Sequence, residues 1–218
     1  WASDQVRKVF RENRKLGEIA EPRQGLATAD NNRFLRLWYE VEYSRIGYGC
    51  RNAEEALNSK KKWFPYNKGG EFRKWYGNQE YVVNWENDGE EIKNFTDDRG
   101  RLKSRPQNTG YYFREGITWS FVSSSKFGVR YSPKGFIFDV GGSSLFPEKG
   151  KIYTLLSFLC SKLAFNFLSN VNPTLNFQVG NIATLPVVNI TNEKQYIEDL
   201  SKQCISISKT DWDSFETS

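Results

Sequence analysis

The chain has 218 residues, of which 26% are charged and 16% aromatic, and its 31 Lys and Arg outnumber its 26 Asp and Glu. This aromatic content excludes a disordered chain, and the length favours one large domain. The complete absence of His removes the side chain that most often serves in acid–base catalysis and zinc binding near neutral pH. The net charge of +5 favours an acidic partner.

The predicted elements of the first 150 residues are short and follow no regular order. Ser3 is a candidate N-cap of a first helix, with Val6, Val9 and Phe10 on one side of it. Turn residues, β-prone runs and helical periodicity define the others. In chain order we predict a helix over 3–15, strands on either side of a turn-rich centre within 19–41, a helix over 53–61, and strands at 81–85, 111–122, 127–131 and 135–140.

The last third of the chain is predicted to be mainly helical. From Ile152 to Phe167 apolar residues recur every three or four positions, which predicts a core helix. Thr191 or Asn192 can cap a last helix that continues to about Cys204. Strands that gather before and between a few helices, without regular alternation, predict an α+β fold.

The cysteines, the first residue and the longest apolar stretch indicate where the protein is located and whether the chain is part of a longer protein. Cys50, Cys160 and Cys204 are widely spaced without a Cys-x-x-Cys pair, which argues against a disulfide framework and a zinc site and favours a cytoplasmic location. The chain has no Met and begins at Trp1, and we expect it to be part of a longer protein. The apolar stretch 152–168 is interrupted by polar residues, so no membrane partner is expected.

Charge is segregated along the chain. Residues 60–76 carry six Lys or Arg against one acid and residues 99–134 carry eight against one, whereas residues 80–98 are strongly acidic. A single charge run usually forms a solvated face. Two separated basic blocks favour contact with a phosphate backbone.

The segment 63–78 combines six aromatic residues with basic residues around the pair Gly69-Gly70. Nucleic-acid-binding surfaces have this composition, because cations neutralise phosphates and glycines let backbone N–H groups approach phosphate oxygens. The alternative is an aromatic minicore with lysine side chains lying along it. A second candidate, the loop 24–33, has short polar side chains that suit turns and groove contacts alike.

Catalytic signals are weak in this sequence. Asn172-Pro-Thr-Leu lacks the second proline and the aromatic residue with which amino-methyltransferases grip an extruded base. Gly69-Gly70 and Gly141-Gly142 lack the flanking pattern of a cofactor loop. Asp88 with Glu91 and Lys93 supplies the residue types of a metal nuclease at too short a spacing.

Four motifs occur in a fixed order: residues 24–34, 63–78, 172–180 with Leu185-Pro186-Val187, and 211–216. In that order they resemble the target-recognition region of single-chain adenine-specific DNA methyltransferases, namely those of BREX phage defence and related restriction-modification enzymes. Ala29 stands where the family pattern has glycine. The resemblance implies a recognition domain over 1–188, similar to those of type I restriction specificity subunits, and a helical linker over 189–218.

The resemblance also implies a function. This chain would read a short site in double-stranded DNA and orient an upstream methyltransferase domain, which methylates adenine N6 with S-adenosylmethionine. The segment itself is expected to be non-catalytic, without cofactor or metal, and other defence-system subunits are further expected partners. We assign DNA-backbone contacts to Lys68, Gly69, Arg73, Lys74, Arg130 and Lys134, and base contacts to Asn31, Asn32, Asn78 and Gln79.

Two other hypotheses remain open. The aromatic-rich surface could dock on a protein of the same complex without reading bases, in which case binding would depend little on salt. A stand-alone nuclease would instead cleave DNA in a metal-dependent manner.

Overall fold

The computed structural model describes residues 3–122, 126–172, 174, 176–188 and 193–216. The strands in this part of the chain are β1 (Ala20–Arg23), β2 (Leu35–Leu37), β3 (Trp63–Asn67), β4 (Tyr81–Asn84), β5 (Gly116–Trp119), β6 (Val129–Ser132), β7 (Ile137–Phe138) and β8 (Ser144–Pro147). The helices are α1 (Asp4–Glu12), α2 (Asn31–Phe34), α3 (Ala53–Asn58), α4 (Glu86–Lys93), α5 (Ile152–Cys160), α6 (Lys162–Val171), α7 (Val179–Ala183) and α8 (Lys194–Trp212).

The strands form two four-stranded sheets. The first has the order β1-β8-β5-β6 and is antiparallel throughout, and the second has the order β2-β4-β3-β7 with a parallel pairing of β3 and β7. Helix α1 precedes the strands and α5–α8 follow them, and the short helices among the strands do not alternate with successive parallel strands. The predicted α+β fold is therefore confirmed.

The first sheet packs against the terminal helices. Ile117, Trp119 and Leu145 from its strands are fully buried, and they belong to one cluster with Leu156 of α5 and Leu168 of α6. At about 25 cal/mol per Å² of apolar area removed from water, side chains of this size each stabilise the fold by roughly 1.5–3 kcal/mol. This cluster contains most of the helix packing of the chain.

The second sheet has apolar side chains on both faces. Phe64 and Val83 face a large cluster that includes Phe113, whereas Trp63 and Val82 pack on the opposite face. All five residues of β3 are buried. A strand covered on both faces has no polar–apolar alternation, which is why the sequence pattern did not indicate β3.

The first and last helices follow their predicted patterns. The Ser3 side chain accepts a hydrogen bond from the Val6 backbone N–H, and Val6, Val9 and Phe10 pack on the first core, as predicted. Helix α8 extends beyond the predicted end at Cys204 to Trp212. The predicted caps Thr191 and Asn192 lie outside the described residues.

The predicted core helix over 152–167 is wrong in one respect, because it is broken at Ser161. The Ser161 side chain accepts a hydrogen bond from the Ala164 N–H at 3.1 Å and so caps a second helix, α6. Within the described residues no single helix is long and apolar enough to cross a membrane, whereas α5 and α6 reach that length and composition only as a pair bent by 69°.

Several predicted strands are shorter than expected, and several elements were not predicted. The strand expected over 111–122 is limited to β5 because a 3₁₀ turn covers 109–111, and α2 occupies part of the turn-rich centre before β2. Besides α2 and β3, the unpredicted elements are the helix α4, the strand β8, which pairs with β1 and β5, and the short helix α7.

Candidate nucleic-acid interface

The loop 24–33 is held at the edge of the second sheet. Leu26 lies beside β7, because its N–H donates to the Phe138 carbonyl oxygen at 2.8 Å and its own carbonyl accepts from Val140 N–H at 3.3 Å. A Cβ on Gly25 would lie 1.8 Å from the Phe138 oxygen. Only glycine therefore allows this close approach of the two backbones.

The second half of the same loop presents two amide side chains to solvent. Asp30 caps α2 by accepting a hydrogen bond from Arg33 N–H at 3.0 Å. Asn31 and Asn32, both predicted to contact bases, follow that cap and are exposed. The Thr28 hydroxyl donates to Asn31 Oδ1 at 2.6 Å and thereby orients the amide.

A second loop, over residues 105–108, lies beside the loop 24–33. Ala27 and Arg105 exchange two backbone hydrogen bonds of 3.0 and 2.8 Å, and the Asn108 side chain donates to the Gln24 carbonyl at 2.8 Å. Arg105 is exposed, and its side chain has no ion pair or hydrogen bond within the described residues. Two segments far apart in the sequence, one with exposed amides and one with a free cation, thus form one surface.

The segment 63–78 is divided between a buried strand and a loop. After β3, Trp75 forms a bridge with Arg130, since its N–H donates to the Val129 carbonyl and Tyr131 N–H donates to the Trp75 carbonyl, both at 2.8 Å. The loop therefore extends the edge of the first sheet beside β6. The minicore interpretation is correct for β3, because all five of its residues are buried.

Two of the cations predicted to contact the DNA backbone have side-chain contacts with the C-terminal helices. The Lys74 ammonium donates to the Cys160 carbonyl at 2.6 Å, at the C-terminus of α5. The Arg73 guanidinium lies 4.8 Å from the centre of the Trp212 ring and 3.3 Å from an Asp211 carboxylate oxygen. Both side chains remain partly exposed, and their contact with DNA stays a prediction.

Of the predicted cations, Lys134 is the exposed one, whereas Lys68 is half-buried like Arg73 and Lys74. Lys134 is exposed and its side chain has no recorded partner among the described residues. Lys68 is half-buried, with its ammonium 5.8 Å from the centre of the Tyr81 ring. Gly69 is buried with a φ of 93°, and a Cβ there would lie 2.5 Å from the Gly141 oxygen, so its backbone faces protein.

Arg130 lies in the interior. Its side chain is 1% exposed, and its only described hydrogen bond runs from Nη2 to the Ser120 hydroxyl at 3.3 Å. Nε and Nη1 have no partner within the described residues. Burial lowers the Arg130 pKa to about 10, although the charge of Glu80 acts in the opposite direction. A phosphate could reach this guanidinium only if the covering residues moved.

The two remaining amides differ in exposure. Asn78 is 5% exposed with a φ of 58°, and its Nδ2 donates to the Glu71 carbonyl at 2.8 Å, which closes the loop. Gln79 is half-buried and hydrogen-bonds to the Tyr76 side chain. Burial raises the Tyr76 pKa above its ordinary value.

The residue types that suggested catalysis have structural partners. Lys93 pairs with Asp88 at 2.6 Å, and Glu91 accepts from Arg33 and Asn84. No group of metal-binding side chains occurs in the part of the chain that the structure describes. Asn172 Oδ1 accepts two hydrogen bonds from Thr174, which is the geometry of a local turn.

The fold and the site together define an α+β domain with two paired polar loops, 24–33 and 105–108, on its surface. No protein-family model matches the chain. It is 39% identical over 221 residues to the adenine-specific methyltransferase PglX of Lacticaseibacillus casei (strain Zhang), a match that covers 100% of this chain and 18% of that protein. It is 43% identical over 189 residues to the adenine-specific methyltransferase BrxX of Escherichia coli O9:H4 (strain HS), which covers 85% of this chain and 14% of that protein.

These similarities confirm the resemblance recognised in the sequence. The chain spans less than a fifth of the length of the curated relatives it matches. It is a homologue of a segment of the BREX-type adenine-specific methyltransferases.

Proposed function

We propose that this chain is the DNA target-recognition region of an adenine-N6 methyltransferase in a phage-defence or restriction-modification system. The observation that carries the proposal is the paired loop surface, where exposed Asn31 and Asn32 lie on the loop that Arg105 borders. Amide side chains can pair bidentately with adenine, and unpaired cations bind phosphates. The similarity to adenine-specific methyltransferases supports duplex DNA as the partner.

In this proposal the cations differ in their roles. Arg105 and Lys134 are exposed and unpaired in the described structure, so they can neutralise phosphates without breaking an internal contact. Arg73 and Lys74 act mainly through the helices they hold. Asn31 and Asn32 specify bases, while Asn78 keeps the neighbouring loop in place through its hydrogen bond to Glu71.

The methyl donor belongs to another part of the longer protein. A Cβ on Gly142 would lie 2.1 Å from the Asn67 oxygen, and one on Gly69 would lie 2.5 Å from the Gly141 oxygen. These glycine pairs therefore pack backbone on backbone and do not fit a nucleotide-like cofactor such as S-adenosylmethionine. We further propose that the upstream methyltransferase domain and other defence-system subunits are the protein partners, in the cytoplasm and away from membranes.

The experiment is a selection from a randomised duplex pool at two salt concentrations, followed by sequencing of the bound DNA. We expect an enriched short motif and an affinity that falls steeply with salt, because bound cations release counterions from the phosphates. Binding without enrichment would contradict base reading, and salt-independent binding would contradict a phosphate interface.

Matched variants separate the roles. Asn31→Ala or Asn32→Ala should cost about 1–3 kcal/mol and relax the motif at one position. Arg105→Ala or Lys134→Ala should weaken binding to all sequences alike and reduce the salt slope by about 1. Lys8→Ala, at an exposed and unpaired lysine of α1 in the described structure, is the control and should leave both properties unchanged.

A docking function has one specific observation in its favour. Tyr196, Leu200 and Ile207 lie along one side of α8 and are 63%, 40% and 71% exposed. An apolar stripe of this kind suits a helix–protein contact. If Leu200→Glu abolished assembly of the full-length protein while the isolated chain bound no DNA, docking would replace DNA recognition as the function.

A further inference from the structure

A cleft of about 280 Å³ lies beside the second sheet, on the face of β3 and β4 opposite to Phe64 and Val83. The end of α8 forms its other side through Trp212. Aromatic side chains dominate the lining, and these include Trp38, Tyr43, Tyr48, Tyr76 and Tyr81. Five separate stretches of sequence contribute to it, which is why no sequence motif indicated it.

Two of the rings face solvent. Tyr43 is 69% and Tyr48 46% exposed, and their ring centres are 5.3 Å apart at an interplanar angle of 33°. Neither belongs to a core cluster of the described residues. Exposed aromatic rings grouped in a concave site are typical of ligand contact rather than of folding.

Two exposed cations close in sequence to the lining residues are available to an anionic ligand. Asp213 lines it, but this carboxylate is paired with Lys209, whose ammonium lies 5.2 Å from the Tyr76 ring centre. Arg45, in the same 3₁₀ turn as Tyr43, and Lys134, two residues from the lining residue Phe136, are exposed cations without side-chain partners in the described structure. An apolar protein segment would leave these cations unmatched.

We propose that this cleft holds one unstacked nucleotide of the bound DNA. The base stacks on Tyr43 and Tyr48, the Gln79 amide lies within the same cleft to bond its edge, and the two exposed cations that neighbour lining residues in the sequence neutralise its phosphate. The inference rests on the proposed DNA-binding function and adds a second kind of contact to it. The paired loops bind the duplex, whereas the cleft binds a base that has left the stack.

The test compares two probes that differ in one feature: a short duplex with a single-nucleotide bulge, and the same duplex fully paired. Affinities of the 218-residue chain are measured by fluorescence anisotropy at fixed salt. We expect the bulged duplex to bind about tenfold more tightly, because its unstacked base can stack on an aromatic side chain.

Variants assign the preference to the cleft. Tyr43→Ala and Tyr48→Ala should remove the preference for the bulge while leaving affinity for the paired duplex unchanged. Tyr196→Ala, at a tyrosine of α8 that is 63% exposed and does not line the cleft, is the matched control and should keep the preference. Circular dichroism verifies that each variant is folded.

The outcomes distinguish this inference from the proposed function. Equal affinity for both probes, or loss of the preference in Tyr196→Ala alone, overturns the nucleotide site and leaves duplex recognition standing. Binding to the bulged duplex alone supports the cleft and contradicts recognition of paired DNA. If neither probe binds, both are overturned and a protein ligand takes their place.

Discussion

Replacing Arg130 with methionine should make the free chain more stable. The guanidinium is 1% exposed, and two of its three nitrogens have no partner within the described residues. An isolated buried charge is unfavourable because it loses hydration without an equivalent hydrogen bond or counter-charge. Methionine retains most of the volume and removes the charge.

The size of the destabilisation by buried Arg130 follows from its lowered pKa. Burial lowers the Arg130 pKa from its ordinary value to about 10. At 1.36 kcal/mol per pKa unit, this difference corresponds to roughly 3 kcal/mol of destabilisation of the charged form. The variant gives up one long hydrogen bond to Ser120, worth about 1 kcal/mol, while the Ser120 hydroxyl keeps its bond to the Gly70 carbonyl at 2.8 Å. We expect a net gain of about 2 kcal/mol in the free energy of unfolding.

The pH dependence of this penalty follows from the same lowered pKa of Arg130. The folded-state pKa lies below the unfolded one, so the unfolded chain binds the proton more tightly. The penalty is therefore fully present below about pH 10 and declines only as pH rises from there towards the ordinary arginine pKa. A measurement at pH 7 captures all of it.

The assay is urea unfolding at pH 7 together with a thermal melt. For a chain of this size the expected gain corresponds to a rise in Tm of about 4–8 °C. Arg105→Met, at an exposed and unpaired arginine of the described structure, is the control and should change stability by no more than about 0.5 kcal/mol. A less stable Arg130→Met variant would refute the reasoning and mean that an unseen partner satisfies the guanidinium.

Three further changes test local features. Ala29 has a φ of 62°, so Ala29→Gly should raise the free energy of unfolding by about 0.5–1 kcal/mol. Ala27 lies outside the left-handed region, so the control Ala27→Gly should lower the free energy of unfolding. Urea titrations of the two variants, run in parallel, measure both changes. Gly25→Ala should lower the Tm by an amount equivalent to about 2 kcal/mol or more, because its Cβ would lie 1.8 Å from the Phe138 oxygen; an unchanged melt would contradict this close approach. Burial raises the Asp139 pKa, although hydrogen bonds from Tyr66 and the Gly141 backbone oppose it, so its contribution to stability is lost as pH rises through that raised pKa. Asp139→Asn should flatten that part of the stability–pH profile, and a profile parallel to wild type would exclude the assignment.

The fold could be predicted where the signal was local. The Ser3 cap with Val6, Val9 and Phe10 specifies α1 within eight residues of chain, and the residues themselves carry that information. The break at Ser161 had a local signal too, a capping residue within an apolar run, but helical periodicity masked it. β3 had none, because burial on both faces removes the alternation that identifies a strand.

The candidate site was only partly predictable. The loop with Asn31 and Asn32 could be recognised from its short polar residues, and these amides are exposed. The adjacency of Arg105 could not, because it depends on a backbone pairing across nearly 80 residues of sequence. The same holds for the cleft lined by Tyr43 and Tyr48.

The sequence by itself determined the α+β class, the absence of histidine chemistry and the resemblance to methyltransferases, because composition, periodicity and motif order are properties of the linear chain. Only the tertiary structure decided which cations are free. Arg130 is buried, Lys74 caps α5 and Arg73 stacks on Trp212, whereas Lys134 faces solvent unpaired within the described residues. The physical reason is that a charge binds a ligand only where folding leaves it hydrated and without a partner, and this depends on contacts between distant segments.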